Sequence, residues 1–193
     1  MQLYQNLLLR LVKYLEVTHI CCIFAPQMKT NALSLANYFL ELAKNGGKEI
    51  KPLKLIKLVY MAYGFSLAVF GKKFIDPRFD RVEAWKYGPV IPSVYHSFKH
   101  YQNSPIDEKA VVLTDEGFKE ATLDDEQAKA MCQFVWKRYG LKYSDSDLVT
   151  LLHKDGTPWK WAYKEGQNEE IPDLLTYTYY KKLWGFLTGK NNG

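Results

Sequence analysis

Residues 52–71, PLKLIKLVYMAYGFSLAVFG, decide the fold. Apolar side chains recur every three or four positions, which is the spacing of one helical face: Leu53, Ile56, Tyr60, Tyr63, Leu67 and Phe70. Apolar residues also fill most positions between them, so the segment predicts a helix that is buried on nearly all sides. Pro52 suits the first turn of this helix and Gly71 suits its end. The stretch therefore predicts the central helix of the protein.

The segments around this helix are mostly helical in pattern, with little strand. Helical spacing or capping residues predict five further helices, at 32–43, 92–101, 128–139, 144–152 and 172–186. Alternation over 79–87 predicts a strand that Gly88 and Pro89 end, and 111–113 predicts a second short strand. A loop is expected around Gly156–Trp159. The predicted fold is mainly α, a compact single-domain helical bundle with a small β-hairpin or short two-stranded sheet.

Composition places the chain among globular proteins. Its 193 residues are 47% hydrophobic and 15% aromatic, which excludes a disordered chain. The sequence has no run of ~18 uncharged apolar residues, so it predicts no membrane span. The net charge of +5 is modest for a dedicated nucleic-acid binder. Three cysteines, of which Cys21 and Cys22 are adjacent and Cys132 is distant, predict neither a disulfide framework nor a zinc site. A reducing cytoplasm fits this composition best.

The first 27 residues form a separate N-terminal extension before a domain at 28–193. Leucines at helical spacing, interrupted by Arg10 and Lys13, predict a short amphipathic helix there. A secretory signal is the weaker alternative, because no Lys or Arg precedes the leucines. Met28 is an alternative start of the protein, since the residues after it lead directly into a helix.

Signatures of common catalytic sites are missing from the sequence. No phosphate-binding loop occurs, because Gly47-Lys48 lacks a glycine at the required upstream position. No G-x-S-x-G nucleophile elbow occurs either, and Gly64-Phe65-Ser66 lies inside the predicted central helix.

Three histidines are candidate functional groups. His96 and His100 are four residues apart and share a helix face, but neither a glutamate frame nor a third ligand accompanies them. His153 is a candidate general base or, alternatively, a helix C-terminal imidazole that hydrogen-bonds the end carbonyls. No nucleophile or carboxylate lies at a sequence spacing from His153 that would indicate a catalytic partner. The sequence therefore predicts no metal site, no cofactor and no enzymatic activity.

Residues 113–118, LTDEGF, are similar to the segment that follows the wing of winged-helix DNA-binding proteins. The same residues also suit a strand end and a turn. Basic residues are spread along the chain rather than concentrated on one helix, so nucleic acid is not the expected partner. A DNA-binding transcriptional regulator remains an alternative function.

Three sequence blocks carry a resemblance to a known family. They are LKLIKLVYMAYG at 53–64, EAWKYGPVIP at 83–92 and LVTLLH at 148–153, the last followed by GTPW at 156–159. With these blocks in order over about 160 residues, the chain from Ala32 onward resembles the SocA/Panacea family of antitoxin domains, also seen in phage-associated GepA-like proteins. The first 27 residues lie outside the resemblance.

The resemblance implies a mostly helical cytoplasmic domain that neutralises a toxin by direct binding. The toxin is usually encoded by the adjacent gene, and some relatives instead act as adaptors that deliver the toxin to an AAA+ protease. The resemblance establishes no catalytic or cofactor-binding residue. The candidate partner-binding residues are Lys57, Trp85, Lys86, Tyr87, Val90, Pro92, Tyr95, His153 and Trp159.

Each of these residues also has a structural interpretation. Trp85 and Tyr87 suit core aromatics, and Lys57 suits a side chain that reaches past apolar neighbours to water. If the Trp85 face is buried, we expect the contact surface at Lys86, Val90 and Pro92.

Overall fold

The computed structural model describes residues 31–78 and 80–189. The predicted amphipathic helix at the N-terminus and the choice between two starts lie outside the described residues.

Seven α-helices form most of the described chain. They are α1 (Ala32–Asn45), α2 (Pro52–Phe70), α3 (Pro92–Phe98), α4 (Glu126–Val135), α5 (Asp145–Leu152), α6 (Pro158–Ala162) and α7 (Asp173–Thr188). A 3-10 turn, Lys99–Tyr101, continues α3, and a π-helical turn, Trp136–Gly140, continues α4. The predicted helices are confirmed. The expected loop around residue 158 is instead the start of α6, because Thr157 caps a helix with Pro158 in its first turn.

Five short strands complete the described part of the chain. They are β1 (Glu83–Trp85), β2 (Gly88–Val90), β3 (Val111–Thr114), β4 (Gly117–Glu120) and β5 (Glu169–Glu170). All pairings are antiparallel, in one sheet of order β2-β1-β5 and a separate β3–β4 hairpin. The mainly helical fold with a small β element is therefore confirmed.

The β1–β2 hairpin corrects the sequence prediction in two ways. Only Glu83–Trp85 of the predicted strand is a strand, and Gly88 and Pro89 begin the returning strand instead of ending the element. Pro89 is tolerated because β2 is an edge strand of its sheet. Trp85 pairs with Gly88, so Lys86 and Tyr87 form a two-residue turn.

The helix α2 lies at the centre of the core. Its residues from Leu55 to Leu67 are all buried, and it packs most extensively against α7, α4 and α1. By length and composition α2 is long and apolar enough to cross a membrane. However, 72% of its 18-residue apolar stretch is buried inside the protein. The helices α2 and α7 come especially close at Gly64, where a Cβ atom would overlap the Tyr180 ring.

Candidate partner-binding site

The three sequence blocks meet around Lys57, on α2. Its side chain is 1% exposed, so it does not reach water as the structural interpretation expected. The Lys57 Nζ donates a hydrogen bond of 3.0 Å to the Pro89 carbonyl oxygen in β2. Burial lowers the pKa of Lys57 to about 7, because a charged amine loses its hydration there. A side chain of the first block thus holds the backbone of the second block in place.

Gly88 allows this close approach. Its φ of 103° lies in a region that favours glycine, and an added Cβ would lie 3.0 Å from Lys57 Nζ and 3.3 Å from His153 Nε2. A side chain at position 88 would therefore meet both nitrogen atoms. Gly88 therefore lets the backbone of β2 lie directly against the side chains of Lys57 and His153.

His153 follows α5 and belongs to the third block. Its Nε2 atom is buried and has no hydrogen-bond partner within 31–78 and 80–189. The expected hydrogen bonds to the end carbonyls are absent from this part of the chain, because the ring instead stacks on Trp159 at 3.6 Å between centroids. Burial lowers the pKa of His153, and the positive charges of Lys57 and Lys160 lower it further.

Trp159 connects the third block to the β1–β2 hairpin. Its Nε1 donates a hydrogen bond of 2.8 Å to the Trp85 carbonyl oxygen, and its ring also stacks on Tyr163 at 4.6 Å between centroids. The Thr157 hydroxyl donates to the Leu152 carbonyl oxygen at 2.9 Å, which ties the loop before α6 to the end of α5. Trp159 is buried, and through these contacts it connects α6 to β1 and to the end of α5.

Three candidates of the second block, Trp85, Val90 and Pro92, are half-buried or buried. Trp85 is half-buried, its Nε1 donates to a Glu83 carboxylate oxygen at 2.8 Å, and its ring packs edge-on against Tyr95. Pro92 is also half-buried. The expectation that Val90 is available at the surface is wrong, because Val90 is 4% exposed where β2 packs against α2. A charge at position 90 would disrupt folding instead of testing partner binding.

Two aromatic side chains on the elements that meet here, the β1–β2 turn and α6, face solvent. Tyr87, in the β1–β2 turn, is 61% exposed, and Lys86 Nζ lies 5.6 Å from its ring centroid. Trp161, on α6, is 75% exposed, and the sequence analysis missed it. The spacing of Trp159 and Trp161 could have predicted this exposure, since residues two apart lie on different sides of a helix and Trp159 is buried. We call Tyr87 and Trp161 the exposed aromatic pair.

The other functional candidates lie on α3, in the turn that follows it and in the β3–β4 hairpin. His96 lies on α3 and His100 in the following 3-10 turn, and each ring packs against a neighbouring tyrosine. The described residues contain no group of three His, Cys, Asp or Glu that is able to hold a metal ion. The wing-like segment is the β3–β4 hairpin, with Asp115 and Glu116 in its turn. Such a turn repels DNA phosphates.

The family model that matches this chain covers nearly all of the three blocks. The family model described as "Antitoxin SocA-like, Panacea domain" matches residues 55–160. Antitoxin SocA of Caulobacter vibrioides (strain NA1000 / CB15N) is 31% identical over 137 residues, which are 69% of this chain and 70% of that protein. No solved structure matches the chain. The match to the family model begins within α2 and ends within α6, so it includes the elements that meet around Lys57.

Proposed function

The chain belongs to the SocA-like, Panacea-domain antitoxin family, and from this premise we propose that it neutralises its toxin by direct protein–protein binding. We further propose that the toxin is the product of an adjacent gene and that the complex forms in the cytoplasm. The proposal involves no catalysis and no cofactor.

The exposed aromatic pair is the observation that carries the binding part of this proposal. Tyrosine and tryptophan supply much of the energy at protein interfaces. Tyr87 extends from a two-residue turn supported by Lys57, and Trp161 lies on α6, which Trp159 ties to Trp85. Because these supports are buried, a partner meets side chains on an ordered frame and the cost of ordering them is small.

Co-expression tests the proposed function. Each gene adjacent to the one that encodes this chain is expressed alone and then together with it. We expect one product to stop growth when alone, and this protein to restore growth and co-purify with that product. The proposal fails if every neighbour is harmless alone, or if growth is restored without a complex.

A purified system separates direct neutralisation from proteolytic delivery. We expect stoichiometric amounts of this protein to inhibit the purified toxin in the absence of any protease and of ATP. Inhibition that appears only when an AAA+ protease and ATP are added would contradict direct neutralisation and support an adaptor.

Substitution of the exposed aromatic pair tests the contact surface. Tyr87→Ser and Trp161→Ser should each weaken toxin binding by at least ~30-fold, which corresponds to about 2 kcal/mol for an interface hot spot. Their melting temperatures should stay near that of the unchanged protein, because both side chains are exposed. Calorimetric titration and thermal unfolding measure the two effects.

The half-buried Trp85 provides the matched control. Trp85→Ala should lower stability because it removes the ring that packs on Tyr95. If Tyr87→Ser, Trp161→Ser and Trp85→Ala all reduce folding and binding in parallel, the site is structural and the toxin binds elsewhere.

A further inference from the structure

The β3–β4 hairpin exposes an apolar face that contains neither member of the exposed aromatic pair. Leu113 and Phe118 are directly opposite each other in the ladder, and Val111 lies two residues before Leu113 on the same face. All three side chains are exposed, and Phe118 is 68% exposed. A two-stranded sheet with an uncovered apolar face is poorly stable without support.

Asn37 on α1 provides support at the base of this hairpin. Its buried side-chain amide donates to the Ala110 and Ala121 carbonyl oxygens at 2.8 and 2.9 Å. Its Oδ1 accepts a hydrogen bond of 2.8 Å from the Ala110 N–H. One side chain therefore fixes both strands where they leave the core, and the hairpin is ordered before any partner arrives.

The outer edge of β3 is open to pairing. Among the described residues β3 pairs only with β4. Its sequence, Val-Val-Leu-Thr, contains no charge, no proline and no bulge, which are the features that usually protect an edge strand. In contrast, β4 carries Lys119 and Glu120. An extended segment from a partner would therefore pair with β3 by main-chain hydrogen bonds.

The charge around the hairpin indicates the chemistry of that partner. Residues 107–126 contain eight acidic and two basic residues, although the whole chain has a net charge of +5. Both basic residues already have acidic partners: Lys109 pairs with Glu41 and Glu120, and Lys119 pairs with Glu116. Lys72 and Lys129 in turn pair with Asp125 and Glu126. An excess of negative charge remains around the apolar face, and it attracts a basic segment and repels an acidic one.

We propose that the β3–β4 hairpin is a second contact surface for the toxin and that it binds an extended apolar segment flanked by lysine or arginine. The segment adds to the free edge of β3 and covers Leu113 and Phe118. This inference rests on the proposed function, and it assigns to the toxin a contact separate from the exposed aromatic pair.

Affinity measurements with the toxin identified by co-expression test the inference. Leu113→Ser and Phe118→Ser should each raise Kd by at least 10-fold. Phe186→Ser on α7 is the matched control, because Phe186 is 74% exposed and should leave Kd within 2-fold. Asp115→Lys should raise Kd and reduce its dependence on salt, since it reverses a charge beside the apolar face.

Hydrogen exchange on the full-length, unsubstituted protein gives an independent measurement. When the toxin is added, outward-facing backbone N–H groups of β3, which β4 does not pair, should become protected. Protection confined to other elements overturns the inference even if a hairpin variant fails to fold.

The possible outcomes separate the inference from the proposed function. If the unchanged protein binds the toxin and all hairpin variants match Phe186→Ser, the inference is overturned and the proposed function stands. If no toxin binds, both fail. If light scattering shows a toxin-free dimer that Phe118→Ser dissociates, the hairpin is an interface between two copies, which overturns the inference. It is likewise overturned if the toxin-free protein already protects β3 through its own residues 1–30.

Discussion

At the scale of single residues, Lys57 explains why the three sequence blocks occur together. A lysine buried beside Gly88 and His153, with a backbone carbonyl as its hydrogen-bond partner, is held without a counter-charge from the described part of the chain. The neutral amine still donates to Pro89, whereas the protonated amine carries the full cost of burial. The residue thus links α2 to β2 and makes stability sensitive to pH.

We predict that Lys57 makes the protein more stable as the pH rises from 7 to 9. In this range the unfolded chain keeps this amine protonated, since its ordinary pKa is 10.5, while the folded protein holds it increasingly neutral, since its pKa is about 7. The unfolded state then binds more protons, so the free energy of unfolding rises with pH, by about 2 kcal/mol. Urea denaturation at several pH values measures this change.

Two variants isolate that contribution. Lys57→Met should remove the rise, whereas Lys51→Met, on the exposed residue before α2, should preserve it. Burial lowers the pKa of the neighbouring His153, which favours its neutral form, and this group is present in all three proteins. An equal slope in Lys57→Met and in the unchanged protein would show that another group is responsible.

At the scale of secondary-structure elements, α2 and α7 depend on Gly64. An alanine in the middle of a helix usually stabilises it by about 1 kcal/mol relative to glycine. At position 64 the added methyl group would overlap the Tyr180 ring, which is fully buried. This overpacking should cost more free energy than the higher helix propensity of alanine contributes. The net effect of an alanine at position 64 on stability is therefore unfavourable.

Gly64→Ala should therefore destabilise the protein by about 1–3 kcal/mol in chemical denaturation. A double-mutant cycle with Tyr180→Ala tests the cause. The cost of Gly64→Ala should become at least ~1 kcal/mol smaller once the ring is removed. Additive effects of the two substitutions would mean that the ring is not the obstacle.

The elements also show which features the sequence can predict. The spacing within α2 and the cap before α1 are local, so both helices were predicted correctly. The strand β2 was missed because Gly88 and Pro89 locally favour the end of a strand. Only their pairing with β1 makes them part of one. The meeting of Lys57, His153 and Trp159 was beyond prediction from the residues alone, because these groups are brought together across about 100 residues by tertiary packing.

At the scale of the whole molecule, Cys132 is a probe of cooperative unfolding. It lies on α4, is fully buried, and burial raises the pKa of its thiol. A thiol reagent needs the thiolate and access to it, and the folded protein withholds both. Reaction at Cys132 therefore requires the core between α4 and α2 to open.

In a Cys21→Ser/Cys22→Ser protein, we expect a thiol reagent to label Cys132 at least ~10³-fold more slowly than it labels the unfolded chain, as expected for a stability of 5 kcal/mol or more. The labelling rate should rise with urea in parallel with global unfolding followed by circular dichroism. Faster labelling without loss of helical signal would reveal local opening of α4 instead.

The apolar character of α2 has a consequence for biosynthesis. This helix is complete at Phe70, but its most extensive contact, α7, is complete only at Thr188. At 5–20 residues per second, the ribosome needs roughly 6–24 s to add the chain between them. Throughout that interval the nascent chain carries a helix of membrane-spanning length whose largest partner has not been made. Slow or stalled translation would prolong this exposure to aggregation and to cellular proteases.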